Sequence, residues 1–516
     1  MVFFDDKNGG SYSLENPEEF LSIKSIERRT KQNIPIKERD LPPNSNYISE
    51  VVNAGARVLY TSRWMNAALI EADESLLPLI EQLPPVTKTE LAAPGESGFR
   101  RVGYSFSFGN SRRKEKSSHF QNEMIGANKM HELGFQGEDI MIAVFDGGFL
   151  GVDTLRYFSH LFNNNKIIST YDFVGNSNDV YRYDDHGTNV FSCMGAYQPD
   201  EYIGTAPQAN YVLCVTEAVN SEYRIEEYNW LFAAEYADSV GVDIINSSLG
   251  YNTFDITSMD YSYNDLNGDK AVITRAADLA AAVGMLVVTS AGNERNNSWK
   301  YIVPPADADS ILSVGAVNAS LFPTSFSSAG PTYDNRIKPE LTAIGAGTSI
   351  ISSSGNIYPG NGTSYASPLI AGLAAGVWQA KPDLTNMELL QLLKSSASQF
   401  LDPDTLLGYG VPDFNKIKNI VLASEPLMAQ KSLYQIFPNP IKDNSFYLKP
   451  NQQAALYNPT ITMHSIKGDF IDRLDLQKDP DKELYQIELP EMIPEGTYIL
   501  AILDGDIKET VRIIKQ

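Results

Sequence analysis

One serine in the chain has the sequence context of a nucleophile. Ser364 lies in the stretch GNGTSYASPLIAGLAAGVWQA, residues 360–380, between a glycine-rich turn and apolar residues at roughly helical spacing. The pattern predicts a buried helix with Ser364 in its first turn. A helix start offers unpaired backbone N–H groups and a positive dipole end, which favour an oxygen that becomes negative. Serine is also a common N-cap, so a catalytic role requires a base and an orienting acid elsewhere.

Three further polar residues stand where buried elements end or begin. Asp146 ends the apolar run MIAVFD, Asn293 follows VVTSAG, and His186 begins a helical segment in YDDHGTNVFSCMGA. Each has an ordinary alternative: a turn cap for Asp146, a surface histidine for His186 and a turn amide for Asn293. Together with Ser364 they supply an acid, a base, an amide donor and a nucleophile.

Alternating strands and helices are predicted to position these residues. From about residue 118 to 425, helical segments alternate with short apolar strands, which include DIMIAVFD, ANYVLCVTE, VDIINSSLG, GMLVVTSAGN and DSILSVGAV. Near-continuous apolar strands of this kind are typical of a mostly parallel sheet with helices on both faces. The predicted fold class is therefore α/β, and in such folds sites lie at the strand ends.

Length and composition limit the classes of function. The 516 residues correspond to about three domains, at about 150 residues per domain. The formal charge of −23 argues against nucleic-acid binding, and no apolar run approaches the roughly 18 residues of a membrane helix. Cys193 and Cys214 stand among apolar or small residues, which favours two buried free thiols, with a single disulfide as the alternative.

The two flanks differ from this central segment. Residues 1–95 predict a small α+β domain: a helix in EEFLSIKSIERRTKQ, two strands in ARVLYTSRWMNAALIEA and a helix in ESLLPLIEQLP. PPVTKTELAAPGESGFRR is typical of an exposed connection, and a linker is placed at 96–117. Residues 432–516 predict a small β-sandwich, with strands in FYLKP, ITMHSI, LYQIEL, TYILAILDG and ETVRIIKQ.

Eight motifs occur in order across about residues 118–425. They are AVFDGG, DHGTNV, GTAPQA, NSSLG, TSAGNE, FSSAGPTYDNRIKPEL, GTSYASP and GYG. This set resembles that of the subtilisin-like serine proteases, the subtilases. The order Asp, His, Ser is that of subtilisin, whereas the G-x-S-x-G signature of α/β-hydrolases is not found at Ser364. The resemblance implies a serine endopeptidase that is made as a self-processed precursor.

The resemblance also implies a role for individual residues. Ser364 would be the nucleophile, His186 would take its proton and return it to the leaving amine, and Asp146 would orient the imidazole. The side-chain amide of Asn293 and the backbone N–H of Ser364 would stabilise the oxyanion. This chemistry requires no cofactor. An extended peptide substrate would lie along Ser248, Leu249, Gly250, Ser290, Ala291 and Gly292.

Two positions depart from the family's usual pattern. Gly147 follows the acid where Thr or Ser is usual, so a supporting hydrogen bond to the carboxylate is expected to be missing. Asn189 replaces the second histidine of the His-Gly-Thr motif. Neither position belongs to the triad, so activity is expected to survive both changes.

A calcium site is a weaker hypothesis. Asp265, Asn267 and Asp269 alternate around Gly268, as oxygen ligands do in an EF-hand loop. The distal glutamate of such a loop is not at the required offset. A solvated acidic turn is the alternative, and a structural calcium ion is retained here only as a hypothesis.

Residues 1–95 resemble the propeptide domains that assist subtilase folding, inhibit the enzyme and are then removed. A parallel α/β domain has many non-local contacts and folds slowly, so a docked template would lower the folding barrier. Arg100–Arg101 and Arg112–Lys114 are candidate cleavage sites. A permanent structural domain is the alternative.

The C-terminal segment resembles the sorting domain of type IX secretion substrates in Gram-negative bacteria. The resemblance rests on YQIFPNP at Tyr434–Pro440, GTYILAI at Gly496–Ile502 and the terminal VRIIKQ. It implies a secreted or surface location and the type IX machinery as a partner. The opening MVFFDDKNGG has no signal-peptide pattern, so this hypothesis requires a leader that the chain does not include. A β-sandwich accessory or carbohydrate-binding module is the alternative for this segment.

We therefore predict a secreted or surface-delivered endopeptidase that acts on proteins or peptides. The first alternative is a catalytically silent subtilase fold used for binding or adhesion. The second is an intracellular protease whose tail is an interaction domain. The active enzyme is favoured because the acid, the base, the amide donor and the nucleophile are all present.

Overall fold

The computed structural model describes two compact units, Met1–Leu422 and Ala423–Gln516. The described residues are 1–94, 118–422, 434–442, 444–450, 459–465, 470–479, 484–490, 493–494, 496–504 and 507–515. The candidate cleavage sites at Arg100–Arg101 and Arg112–Lys114 lie outside them.

The N-terminal domain is a four-stranded antiparallel sheet with three helices. Its elements are β1 (Val2–Phe4), α1 (Ile23–Lys31), α2 (Ser45–Asn53), β2 (Arg57–Ser62), β3 (Ala67–Glu71), α3 (Leu77–Glu81) and β4 (Val86–Thr89). The strand order is β2-β3-β1-β4. This is the α+β arrangement that the sequence predicts.

Two details of this domain differ from the prediction. Helix α1 begins at Ile23, several residues after the start of the predicted helix, because the Ser22 hydroxyl caps it by accepting the Ser25 N–H at 3.2 Å. The segment Val86–Thr89, predicted to be part of an exposed connection, pairs antiparallel with β1 as strand β4. Its partner lies more than 80 residues away in sequence, so local turn signals could not reveal the pairing.

The rest of the first unit is built around a parallel sheet. Its elements are α4 (His119–Met124), α5 (Ala127–Glu132), β5 (Met141–Asp146), α6 (Ser159–Asn163), β6 (Ile167–Asp172), α7 (His186–Gly195), β7 (Tyr197–Gln198), β8 (Tyr202–Ile203), β9 (Asn210–Val215), α8 (Ile225–Val240), β10 (Ile244–Ser247), α9 (Val272–Ala282), β11 (Leu286–Ser290), β12 (Leu312–Val317), β13 (Leu341–Ile344), β14 (Ala346–Ile351), β15 (Ile357–Asn361), α10 (Thr363–Ala380), α11 (Asn386–Ser396) and α12 (Phe414–Leu422). Seven strands form the sheet in the order β13-β12-β11-β10-β5-β9-β6, with every neighbouring pair parallel.

Both faces of this sheet are buried. Along β5, Ile142 and Val144 belong to the apolar core that contains α10, whereas Ala143 and Phe145 belong to the core that contains α8 and α9. Because successive strand residues point to opposite faces, two covered faces require a continuously apolar strand. The predicted α/β fold is therefore confirmed. Helix α10 is apolar on all sides, but neither it nor another described helix is long and apolar enough to cross a membrane.

The N-terminal domain packs against α8. Phe3 and Trp64 belong to the same apolar core as Tyr228 of α8. At the start of this helix, the Ile225 N–H donates to the Ala92 carbonyl at 2.9 Å. The chain that follows β4 is thus brought to the N-terminus of α8.

A buried ionic cluster joins α8 to the same domain. The carboxylate of Asp238, which is fully buried, pairs with Arg28, Arg29 and Arg63 of the N-terminal domain. Arg63 Nη2 lies 2.6 Å from Asp238 Oδ2 and also donates to the Glu235 carbonyl at 2.7 Å. The three guanidinium groups hold the pKa of Asp238 at about 2, against the opposing effect of burial.

The C-terminal unit is a sandwich of two four-stranded antiparallel sheets. Its strands are β16 (Tyr434–Phe437), β17 (Ser445–Pro450), β18 (Thr460–Ser465), β19 (Phe470–Leu474), β20 (Leu476–Asp479), β21 (Leu484–Glu488), β22 (Gly496–Asp504) and β23 (Ile507–Lys515). The sheets have the orders β16-β17-β21-β20 and β19-β18-β22-β23. Phe446 and Leu448 of one sheet share a core with Ile461 and Leu500 of the other, as a sandwich requires.

Both cysteines are buried and free. Cys193 lies in α7 and Cys214 in β9, and each side chain is fully shielded from solvent. The structure therefore agrees with the first interpretation of these residues, and the alternative of a disulfide between them is wrong.

Candidate active site

The site begins with a carboxylate and an imidazole at neighbouring element ends. Asp146 is the last residue of β5 and is fully buried, and His186 is the first residue of α7. His186 Nδ1 lies 2.8 Å from Asp146 Oδ1 and 3.1 Å from Oδ2. An ionised carboxylate accepts hydrogen bonds only, so Nδ1 carries the proton and Nε2 is left as an acceptor.

The charge of the carboxylate changes the basicity of the imidazole. Burial works to lower the pKa of His186, but the charge of Asp146 and its hydrogen bond raise it to about 9. The backbone of α7 is held by Asp184, whose Oδ1 accepts the His186 N–H at 2.7 Å.

A close approach of two segments requires a glycine after the histidine. A Cβ at Gly187 would lie 2.2 Å from the Gly148 carbonyl and 2.9 Å from Asp146 Cβ. Contacts this short are not tolerated by a side chain, so the first turn of α7 can reach Asp146 only with glycine at this position.

Ser364 lies at the start of α10, as predicted. It is the second residue of that helix and is largely buried. Its hydroxyl donates to the Ser248 carbonyl at 3.4 Å, and no hydrogen bond joins it to the His186 ring among the described contacts. The ring of Tyr365, the next residue, lies 6.1 Å from the His186 ring, so the start of α10 lies close to the imidazole.

Asn293 is held by the same helix start. Its Oδ1 accepts the Thr363 N–H at 2.9 Å and the Thr363 hydroxyl at 3.1 Å. Because the oxygen is occupied, the amide N–H groups remain directed away from Thr363, and the side chain is exposed to solvent. Gly292 just before it has a φ of 103°, a conformation that favours glycine.

The six residues predicted to line a substrate channel follow two adjacent parallel strands. Ser248, Leu249 and Gly250 follow β10, and Ser290, Ala291 and Gly292 end β11 and continue it. Both segments pack against Val303, which a Cβ at Gly250 or at Gly292 would contact within 3 Å. Ser248 also donates its hydroxyl to the Ser364 carbonyl at 2.9 Å. The structure therefore brings both segments beside the serine.

The two departures from the family pattern have local explanations. The Gly147 N–H donates to Asp146 Oδ1 at 2.8 Å, so the backbone itself supports the carboxylate. A Cβ at Gly147 would lie 2.9 Å from Val219 Cγ1, so the space of a side chain is already filled. Asn189 is buried in α7, where its Oδ1 accepts the Tyr358 hydroxyl at 3.2 Å.

The candidate calcium ligands hold their own turn. Asp265 Oδ2 accepts the Ser262 N–H at 2.8 Å and hydroxyl at 2.7 Å. Asn267 Oδ1 accepts the backbone N–H groups of Asp269 and Lys270 at 3.0 and 3.1 Å. Calcium binding by Asp265, Asn267 and Asp269 stays a prediction that these contacts do not support.

Sequence reasoning missed a group of glutamates at the edge of the site. Glu217, Glu222 and Glu226 lie in the loop after β9 and the first turn of α8, and their carboxylate oxygens lie within 4.8 Å of one another. The density of acidic residues in TEAVNSEYRIEE was the available signal. The motifs of the family do not include this stretch.

Comparison with known proteins identifies the family. The family model of the subtilases, Peptidase S8, matches the sequence of residues 137–410, which is more than half of the chain. The chain belongs to the subtilase family. A second model, the Peptidase S8 propeptide domain of Bacteroidota, matches residues 1–101 of this subtilase. It is therefore a subtilisin-family serine protease, a serine-type endopeptidase, with a propeptide domain.

Two relatives found by sequence, Subtilisin E and AprX, agree with this assignment. The subtilase is 30% identical to Subtilisin E of Bacillus subtilis (strain 168) over 351 residues, 67% of this chain and 78% of that protein. It is 27% identical to the serine protease AprX of the same organism over 299 residues, 52% of this chain and 63% of AprX. The crystal structure of MycP1 from Mycobacterium smegmatis is 20% identical, with a TM-score of 0.47, covering 61% of this chain and 87% of that one.

Proposed function

We propose that this subtilase is a secreted endopeptidase in which Asp146, His186 and Ser364 form the catalytic triad and Asn293 the oxyanion hole. The observation that carries the proposal is the Asp146–His186 pair, 2.8 Å apart, facing the helix start that holds Ser364. These contacts support a general base next to a nucleophile, the arrangement that serine acyl transfer needs.

The geometry supports the following acylation step. Ser364 Oγ leaves its long contact with the Ser248 carbonyl and attacks the scissile carbonyl carbon, while His186 Nε2 takes the hydroxyl proton. The oxyanion that forms accepts hydrogen bonds from the Asn293 amide and the Ser364 backbone N–H. His186 then gives its proton to the leaving amine as the C–N bond breaks. Water repeats the sequence on the acyl-enzyme and regenerates Ser364.

In the proposed precursor, the N-terminal domain inhibits the site. It is held on α8 by the buried Asp238 cluster, and the chain after β4 is delivered to Ile225 at the start of that helix. That position is close to the end of β9, which is the neighbour of β5 in the sheet.

We further propose that the C-terminal unit is a type IX sorting domain, which makes the mature enzyme extracellular. The three segments behind that resemblance lie together in the sandwich: β22 pairs with β23, and Ile514 of β23 donates its N–H to Asn439 Oδ1 at 2.9 Å. Because β23 pairs with β22 and is hydrogen-bonded to Asn439 of the first motif, the secretion machinery would recognise the three segments as one surface.

A labelling experiment tests the proposed function. The purified chain and its Ser364→Ala variant are treated with a fluorophosphonate probe and incubated with unfolded casein. We expect labelling, casein loss and release of a fragment the size of residues 1–95 from the wild type only. Absence of labelling in a folded, trimmed protein would refute the triad and favour a binding scaffold. To test the sorting domain, host cells produce the chain with or without residues 432–516, and the probe then labels the protease in each cell fraction.

The activity should rise with pH toward about 9. The pKa of His186 is raised to about 9, so below that pH the imidazole is protonated and cannot accept the Ser364 proton. The kcat/KM for a neutral peptide should therefore increase through the range pH 7 to 9 and level off above it. A profile that is flat between pH 7 and 9 would contradict the pairing with Asp146.

Replacing Asn293 with alanine should lower kcat about 10²- to 10³-fold with little change in KM, because the amide acts mainly on the oxyanion. Asn296→Ala is the matched control, since Asn296 is an exposed residue three positions away whose side-chain amide donates to the Ser325 hydroxyl at 3.4 Å. Steady-state kinetics on one peptide measures both variants. Equal losses in the two would argue against an oxyanion role.

A further inference from the structure

The glutamate cluster borders the proposed catalytic centre. Glu217 follows β9 at the second position, and its Oε2 lies 3.8 Å from where a Cβ would stand on Gly147, the neighbour of Asp146. Glu226 belongs to the first turn of α8 and is fully buried, whereas Glu217 and Glu222 are partly exposed. The cluster, which we call the acidic pocket, thus combines one buried acid with two acids that solvent can reach.

The charge of His186 works to lower the pKa of Glu217, but no cation is paired with the cluster itself among the described residues. No described lysine or arginine forms an ion pair with any of the three glutamates, and Glu226 Oε2 has no hydrogen-bond partner. Arg224, in the same loop, instead donates to the Met259 carbonyl and stacks on Tyr261. Burial and then the charge of Asp146 raise the pKa of Glu217 to about 7, and burial with Glu217 raises that of Glu222 to about 8. Because one oxygen of the buried Glu226 carboxylate has no donor, a cation would be stabilised here.

A buried tyrosine from the channel segment interacts electrostatically with the same cluster. Tyr251 follows Ser248–Gly250, is 1% exposed, and has no hydrogen-bond partner for its hydroxyl. After burial, the charges of Glu226, Glu217 and Glu222 contribute most to raising its pKa. Glu226 and Tyr251 are thus two buried groups with an unpartnered oxygen that act on one another.

We propose that this pocket binds the side chain of an arginine or lysine of the peptide substrate and makes the enzyme selective for a basic residue near the scissile bond. The inference rests on the proposed function, because it assumes that the peptide lies along Ser248–Gly250. A guanidinium offers five N–H donors in a planar fork, enough to serve several carboxylates and the Tyr251 hydroxyl together. Its aliphatic stem passes between the partly exposed acids to reach the buried one.

The chain's own sequence contains such a substrate. Residues 96–117 include six basic residues in a protein of net charge −23: Arg100, Arg101, Arg112, Arg113, Lys114 and Lys116. The last described contact before them, Ala92 to Ile225, lies one residue from Glu226. Arg100 is eight residues further on, within about 28 Å of extended chain.

Internally quenched peptides test the proposal on the full chain as purified. One neutral parent peptide is varied by placing arginine, or its uncharged analogue citrulline, at each of four positions on either side of the cleaved bond. We expect one position at which arginine exceeds citrulline in kcat/KM by about 10- to 100-fold. In Glu222→Gln/Glu226→Gln that ratio should fall below about threefold, and Tyr251→Phe should lower it partly.

Glu138→Gln is the matched control. It removes one exposed carboxylate just before β5, at the opposite end of that strand from Asp146, and should keep the wild-type ratio. A wild type that cuts the arginine and citrulline peptides equally at every position would overturn the pocket while leaving the protease intact. Activity that depends on added calcium in the wild type but not in the double variant, with no arginine preference, would show a metal site and overturn the proposal. Failure to cut any peptide would refute the proposed function itself.

Discussion

Replacing Asp146 with asparagine is expected to lower kcat about 10⁴-fold, with the fold retained. In the wild type the carboxylate accepts the Nδ1 proton of His186 at 2.8 Å, which leaves Nε2 free to take the proton of Ser364. An asparagine amide can donate to Nδ1, which would shift the proton to Nε2 and block the base. Steady-state kinetics on a neutral peptide measures the loss, and circular dichroism checks the fold.

The pH profile separates this role from a structural one. Without the charge of Asp146, the pKa of His186 should fall from about 9 toward the ordinary value near 6.5, so residual activity should level off at lower pH. Asp184→Asn is the matched control, because Asp184 accepts the backbone N–H of His186 and does not contact its ring. It should cost less than about tenfold. Wild-type kcat in Asp146→Asn would exclude the proposed triad.

The second large effect is expected at the interface with the propeptide domain. Arg63→Ala should weaken the binding of that domain to the catalytic part by about 10²- to 10⁴-fold, since breaking a buried pair costs about 3–5 kcal/mol. Arg63 is buried, lies 2.6 Å from Asp238 Oδ2 and donates to the Glu235 carbonyl, so the variant leaves both acceptors short of a donor. Gel filtration after processing measures how long the two parts elute together, and peptide cleavage should begin earlier.

Lys24→Ala is the control for this variant. Lys24 pairs with Asp243 at 2.8 Å in the same interface, but about a third of its side chain is exposed. An exposed pair contributes about 1 kcal/mol or less, so release should be nearly unchanged. Equal release times for Arg63→Ala and the wild type would show that apolar contacts, such as those of Phe3 and Trp64, hold the domain alone.

Local patterns predicted much of the fold. The apolar strands before Asp146 and Ser290, the helix that starts at His186 and the helix that holds Ser364 all stand where the sequence placed them. Each depends on residue spacing within a short segment, with burial on both faces of a sheet or all around a helix. The same signals predicted β17, β18, β21, β22 and β23 of the C-terminal sandwich but missed β16, β19 and β20.

Pairings between distant segments could not be predicted in this way. Asp146 and His186 are 40 residues apart, and only the packing of α7 against the end of β5 brings them together. Strand β4 was assigned to a connection because its partner β1 lies at the other end of the domain. The Glu217 pocket and the Asp238 cluster depend on several elements at once, so residue types alone suggested neither.

The two buried cysteines can report how fast the folded chain unfolds. Burial raises the pKa of Cys193 to about 12 and that of Cys214 further, and neither thiol meets solvent in the folded state. Thiolates, not thiols, react with alkylating reagents, so the intact protein should be inert to them. Cys214 lies in the sheet and Cys193 in a helix packed on it. The rate of alkylation would therefore measure the rate at which this core unfolds. A single cysteine added at the surface could then carry a fluorophore without competition from the native pair.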